Sequence, residues 1–218
     1  MAEKWKLFEP ALPVLAPGGS LQDAIENALM EDGDLRGMSF SDEQLEMLEG
    51  RTLDISGCRF ERCTFSELDL ERLSFVDCVF EKCELSNMRF QSAAFQRVTF
   101  LHCRMTGMEL MRGALMSVQF SGCMMDYLSL SECKLDRVVF EDCRMRESLW
   151  GDVKLPKVCL ERCDLSRAQW IRTPLMGIDL STSQIAGWSI TLFDLRGAKV
   201  TAAQVIELSG LLGVEIVS

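Results

Sequence analysis

Every fifth residue from Ile55 to Val200 is apolar, and the frame holds through thirty consecutive units, residues 53 to 202, with no insertion or deletion. The column runs Ile55, Phe60, Phe65, Leu70, Phe75, Phe80 and onward through Met105 and Leu110 to Leu195 and Val200 without one polar residue. Two positions earlier lies a second, usually smaller, apolar column: Leu53, Cys58, Cys63, Leu68, Leu73, Cys78, Cys83, Met88, Ala93. Folding the chain at twenty residues sharpens the pattern. Cys63, Cys83, Cys103, Cys123, Cys143 and Cys163 form one file, broken at Ser183; Phe60, Phe80, Phe100, Phe120 and Phe140 form another; Val98, Val118, Val138 and Val158 a third. Identical side chains recurring every twenty residues imply that like stacks on like along an axis, in an all-β solenoid with four sides per turn and one five-residue unit per side. Thirty units make seven and a half turns, a rod about 36 Å long at the parallel-strand spacing of about 4.8 Å.

Both ends of such a rod expose unpaired backbone and need caps. Leu35, Phe40 and Leu45 already keep the frame, so a degenerate first coil begins near residue 33, although Glu43 and Gly50 break its columns. Before it, residues 1 to 32 divide into an arm and a short helix. The arm has three prolines and a Gly-Gly pair, with Trp5, Leu7, Phe8, Leu12 and Val14 as its anchors. Ser20 and Asp23 have capping-box spacing, and Leu21, Ala24, Ile25, Ala28 and Leu29 share a helical face, which predicts a helix over about 21 to 31; an acidic loop ending in EDGD is the alternative. At the other end, residues 203 to 218 read as a cap. Thr201 and Gln204 again have capping-box spacing, Val205, Leu208, Leu211 and Leu212 follow on a stripe, Gly213 marks a stop, and Val214 to Val217 reads as a short strand. The apolar excess of this tail makes Val205, Leu208, Leu211, Leu212 and Val214 the candidate interface of a homodimer joined at its C-termini.

At 218 residues and 48% hydrophobic content the chain suits one soluble repeat body with caps. No stretch of eighteen apolar residues occurs, and the start lacks the apolar core of a signal peptide, so a cytoplasmic protein with no membrane role is expected. Nine of the ten cysteines keep the phase of the inward column, as buried small hydrophobes do, which predicts free thiols rather than disulfides or zinc ligands. The formal charge of −10 opposes direct nucleic-acid binding. Residues 1 to 50 hold three basic and eleven acidic side chains, whereas residues 51 to 200 hold twenty of each sign.

CDLSRA (163 to 168), MGIDLSTS (176 to 183) and DLRGAKVTAAQ (194 to 204) resemble the alanine-aspartate/asparagine-leucine theme of the pentapeptide repeat family. That resemblance covers about three quarters of the chain and implies a right-handed quadrilateral β-helix. The tail also looks like the C-terminal cap that dimerises the quinolone-resistance (Qnr-type) members, and so implies a non-catalytic DNA mimic that binds type II topoisomerase (DNA gyrase, topoisomerase IV) and protects it from quinolones. By face, the rod's charges come to +2 on the side of Ile55 and Phe75 and −1 on each of the others. Within the rod, residues 53 to 86 are acidic, at −4, and supply the candidate partner-binding residues Asp54, Glu61, Glu67, Asp69, Glu71, Asp77, Glu81 and Glu84.

A second set of candidates is apolar. Met111, Leu149, Ile171 and Leu192 fall at outward positions of one face, and Val76, Met116, Pro156 and Met176 at those of the adjacent one. Three readings stand for them: scattered surface hydrophobes, a bed for the N-terminal arm, or the docking strip of a scaffold that binds an unrelated protein. His102, the only histidine, is outward with no nucleophile beside it, and no phosphate loop, catalytic triad or zinc motif occurs, so no catalytic, cofactor or metal site is expected. Cys159, outward before Leu160, is the one candidate reactive thiol.

Overall fold

The computed structural model of the chain describes residues 5–31, 33–46, 48–66 and 68–213, with Leu48, Leu68, Asp69 and Leu212 described in their backbone only. Glu67 and the Val214 to Val217 segment lie outside the described residues. The chain winds into a parallel β-solenoid of about eight turns. Its strands pair in parallel with residue i beside i+20: Leu35 beside Ile55 beside Phe75, Phe60 beside Phe80, Phe100 beside Phe120 beside Phe140. One sheet collects the strands on the faces of Ile55 and Phe60; a five-stranded sheet, Arg89–Gln91 to Gln169–Ile171, forms another face.

Stacking explains the side-chain files. Rings of Phe60, Phe80, Phe100, Phe120 and Phe140 lie 4.7 to 4.9 Å apart with planes within 17° of parallel, so each ring fills the space of one turn. In the neighbouring file the thiols point back to the preceding turn: Cys103 Sγ donates to the carbonyl of Phe80 at 3.5 Å and Cys123 Sγ to that of Phe100 at 3.5 Å. Ser183, the apparent break in that file, donates its hydroxyl to the Leu160 carbonyl at 3.2 Å, and Thr173 does the same to Trp150 at 3.1 Å. The position therefore selects a small side chain with a donor hydrogen. Burial pushes the Cys78 thiol up to about 12 and raises those of Cys58 and Cys133. Thiol titration with an aromatic disulfide is accordingly expected to find at most about one reactive group in the folded chain, at half-buried Cys159, and all ten after unfolding in guanidinium. Two or more fast-reacting thiols in the native state would contradict the inward file.

Corners carry the cost of this regularity. Nineteen described non-glycine residues have φ between 48° and 62°, all two positions after the central residue of their unit, Arg97 and Arg137 among them. Each left-handed turn costs about 1–2 kcal/mol, offset by the packed columns on either side.

The N-terminal cap is a helix, not a loop. Helix α1 (Leu21–Met30) buries Leu21, Ile25 and Ala28, and the Ser20 hydroxyl accepts the Asp23 N–H at 3.2 Å. Both irregularities of the first coil serve it. Glu43, polar at an inward position, accepts the Leu21 N–H at 3.2 Å, and a Cβ on Gly50 would come within 3.0 Å of the Leu29 side chain. The arm before α1 lies along a corner of the rod. Ala16–Pro17 pairs with Met38 and Ser39, the Ala11 N–H donates to Asp77 Oδ1 at 2.9 Å, and the Arg137 guanidinium lies 5.5 Å from the centre of the Phe8 ring. Pro13 sits 2.8 Å from where a Cβ on Gly57 would be, so the approach of the arm, rather than a left-handed backbone that other corners carry with side chains, calls for glycine here. The anchor set differs from the sequence reading: Val14 is fully exposed and Phe8 half-exposed, because proline rings and backbone hydrogen bonds, rather than alternate apolar side chains, hold an extended segment to a ridge.

At the far end the frame of five fails locally. Thr191 accepts the Asp194 N–H at 3.1 Å and starts the four-residue helix α2 (Leu192–Leu195), which turns Phe193 outward from its inward column to 75% exposure. Helix α3 (Ala202–Leu208) carries the full capping box between Thr201 and Gln204. The Gln204 amide then donates to the carbonyls of Leu180 and Ser183 at 2.8 and 2.7 Å, closing the open edge of the last coil. The tail residues do not form one stripe: Leu208 is buried against the rod and Leu211 half-buried, whereas Val205 and Ile206 are exposed.

Candidate interaction surface

Charges on the rod are arranged as ladders between turns. Arg62 pairs with Asp42, Arg97 with Asp77, Arg162 with Asp142 and Arg172 with Asp152, each across twenty residues at 2.6 or 2.7 Å. The Arg97 guanidinium holds the Asp77 carboxyl below the usual carboxylate range against its partial burial, with the Ala11 N–H assisting. Burial works to raise Asp126, but hydrogen bonds from Arg146 and the charges of Arg144 and Arg146 leave it lowered. These pairs are mostly exposed, so each adds little to stability; their effect is to set opposite charges of adjacent turns against each other.

The acidic candidates divide on this basis. Glu61, Asp77, Glu81 and Glu84 are paired with Arg62, Arg97, Arg59 and Arg104. Among the described residues, exposed Asp54 and Glu71 carry no ion pair, and neither do exposed Glu46 and Glu49 beside α1. One outward file on the face of Ile55 shows the asymmetry most simply: Asp34, Asp54, Ser74, Ala94, Ala114, Lys134 and Lys154 are successive register partners. Two carboxylates are stacked at its N-terminal end and two ammonium groups at the other. The sequence reading placed the acidity at the N-terminal end, in residues 53 to 86 of the rod, but did not resolve it into this file, although the twenty-residue period displays it.

Apolar candidates are not brought into one patch. Met111 and Ile171 are 36% and 41% exposed, but Ser131 and Gly151 separate them in the register, and Leu149 is half-buried. Met116 and Met176, at 42% and 66%, lie on a face interrupted by Asp136. His102 is exposed and lies over Gly122 of the next turn. Among the described residues no cluster of three or more histidine, cysteine or carboxylate side chains is arranged to hold a metal ion, and no helix is long and apolar enough to cross a membrane.

A family model described as "Pentapeptide repeat region" matches residues 53–122 and 93–170. No curated protein matches the chain by sequence. Solved structures that are similar include a trypsin-treated form of QnrB1, a plasmid-mediated fluoroquinolone resistance protein (18% identity, 85% of this chain and 95% of that one, TM-score 0.43), and the full-length form of the same protein (16%, 84% and 100%, TM-score 0.36). Another is HetL, a pentapeptide repeat protein involved in heterocyst differentiation regulation from the cyanobacterium Nostoc (12%, 76% and 86%, TM-score 0.44).

Proposed function

The chain belongs to the pentapeptide repeat family, and from that premise we propose that it is a non-catalytic binding rod whose acidic N-terminal end occupies the DNA-binding surface of a type II topoisomerase and protects the enzyme from quinolones. The observation that supports this reading is the excess of carboxylates at one end: Asp54, without an ion pair among the described residues, stacked on Asp34, which pairs only with exposed Arg36, with Glu46, Glu49 and Glu71 nearby, against a rod whose charges are otherwise largely paired in ladders. A surface that binds DNA is basic and accepts carboxylates in place of phosphates. In this reading a second copy joins through the C-terminal cap, where exposed Val205 and Ile206 supply apolar surface on α3, and the two acidic ends point outward from the join.

The test is a gyrase supercoiling assay with a quinolone present, using full-length protein whose mass has been measured by light scattering. Supercoiling restored at micromolar protein supports the proposal. No restoration at that concentration, with the enzyme fully active when the drug is left out, removes it.

A further inference from the structure

Like charges are stacked at both ends of one outward file. On the face of Ile55 and Phe75, Asp34 lies beside Asp54 and Lys134 beside Lys154, with Ser74, Ala94 and Ala114 between them in register. Like charges directly opposite in a sheet are destabilising. Where the rod stacks them elsewhere, as at Glu61 beside Glu81 and Glu141 beside Glu161, arginines neutralise them: Arg62 and Arg59 in the first case, Arg162 in the second. In this file Asp34 pairs with exposed Arg36, and among the described residues Asp54, Lys134 and Lys154 have no ion pair. The four turns from Asp54 to Lys134 span about 19 Å at the strand spacing, too far for the two ends to neutralise each other.

About its middle residue, Ala94, the file is its own complement. Asp34 and Lys154 lie three turns to either side, Asp54 and Lys134 two, Ser74 and Ala114 one. A two-fold axis along the strand direction at Ala94 lays an identical rod antiparallel on this face, with Asp34 over Lys154 and Asp54 over Lys134, each twice. The adjacent file, Ser56, Val76, Gln96, Met116 and Asp136, matches under the same axis: Val76 meets Met116, Gln96 meets its own copy, and the Ser56 hydroxyl meets Asp136, whose other partner is Arg137. Arg36 and Lys157 end this file and form its one like-charge approach, with Arg36 held by Asp34 at 2.8 Å.

We infer that this face docks a second copy of the chain, side by side and antiparallel, the carboxylates of each rod against the lysines of the other. An isologous contact requires a patch complementary to itself, and these two files form one. Small, exposed Ala94 and Ala114 let the rods approach until Val76, Gln96 and Met116 touch. The N-terminal arm runs along the far corner of the face, at Gly57 and Asp77, and leaves the charged file exposed. One side of the rod over seven turns offers roughly 400 Å² per copy, about half of the roughly 800 Å² usual in a stable pair. The pair is therefore weak and held mainly by charge, with a Kd on the order of 0.1 mM at low salt. It leaves α3 free and competes with any other partner of the acidic end.

Sedimentation velocity of the full chain at about 0.01 M and about 1 M salt, where the screening length falls from about 30 Å to 3 Å, tests this without any enzyme. The mass at high salt, including any join through apolar α3, is the baseline; at low salt and on the order of 1 mM chain it should rise toward at least twice that value. Asp54→Lys should raise the concentration required about tenfold or more. Adding Lys134→Asp should restore association, because these two positions face each other across the axis. Asp54→Lys with Lys154→Asp has the same net charge but leaves only like-charged contacts, and should not restore it. All three positions are exposed, so circular dichroism should be unchanged throughout. A mass that does not respond to salt, or equal behaviour of the two double variants, overturns the inference.

Discussion

Phe120→Ala is expected to lower stability by about 3–5 kcal/mol, at the upper end for a large-to-small core change, and to split unfolding into two steps. Phe120 is 2% exposed and stacks on Phe100 at 4.9 Å and on Phe140 at 4.8 Å. Interturn hydrogen bonds fix the spacing of the coils, so the hole cannot close by collapse of one turn on the next. A solenoid's stability is a sum of turns and of interfaces between neighbours, and weakening one central turn uncouples the two halves. Three of the four tryptophans, Trp150, Trp170 and Trp188, lie on the C-terminal side of Phe120. Tryptophan fluorescence in urea should therefore report that half while circular dichroism reports the whole. Coincident transitions with a midpoint near that of the parent would refute this picture. Phe8→Ala is the companion control: the ring is half-exposed under Arg137, where a cation–π contact contributes only about 0.5–1 kcal/mol.

Legibility in the sequence follows from whether neighbouring turns repeat the same physics. The five- and twenty-residue periods are visible because every inward position faces the same demand, an apolar group matched to the one above and below. Positions where another element intrudes look irregular in one dimension. Glu43 and Gly50 appear as faults in the columns and become intelligible only with α1 seated above them. Phe193 keeps the frame yet points outward, because the Thr191 and Asp194 capping contacts determine the local backbone more strongly than one inward ring does. Charge was legible as a total but not as a pairing. Twenty residues separate Asp42 from Arg62, Asp77 from Arg97 and Asp142 from Arg162, so applying the period to polar positions as well as apolar ones recovers the ladders. A fainter trace is Ala168 where the preceding turn has Ser148: Trp150 Nε1 donates to Ser148 Oγ at 3.0 Å, whereas the buried Trp170 Nε1 has no partner among the described residues.

Reversing charge at the acidic end should remove the proposed protection while sparing the fold. In the double variant Asp34→Lys and Asp54→Lys, two exposed carboxylates that are register partners become ammonium groups, and the outward file that runs from acid to base becomes basic at both ends. Both side chains are outward, so the columns beneath are untouched and an unchanged unfolding midpoint is expected, within about 0.5 kcal/mol. Electrostatic complementarity acts mainly on association, and loss or reversal of a steering patch slows it by about 10- to 1,000-fold. At least tenfold more variant than parent should thus be needed for the same recovery of supercoiling in the presence of quinolone, and the parent's own potency should fall as salt shortens the screening length from about 10 Å at 0.1 M. Asp152→Asn with Arg172→Gln removes a ladder pair of zero net charge far from the acidic end and should leave the dose response in place. Equal potency of the acidic-end variant and the parent would mean that the carboxylate end does not meet the enzyme, even if protection itself is real.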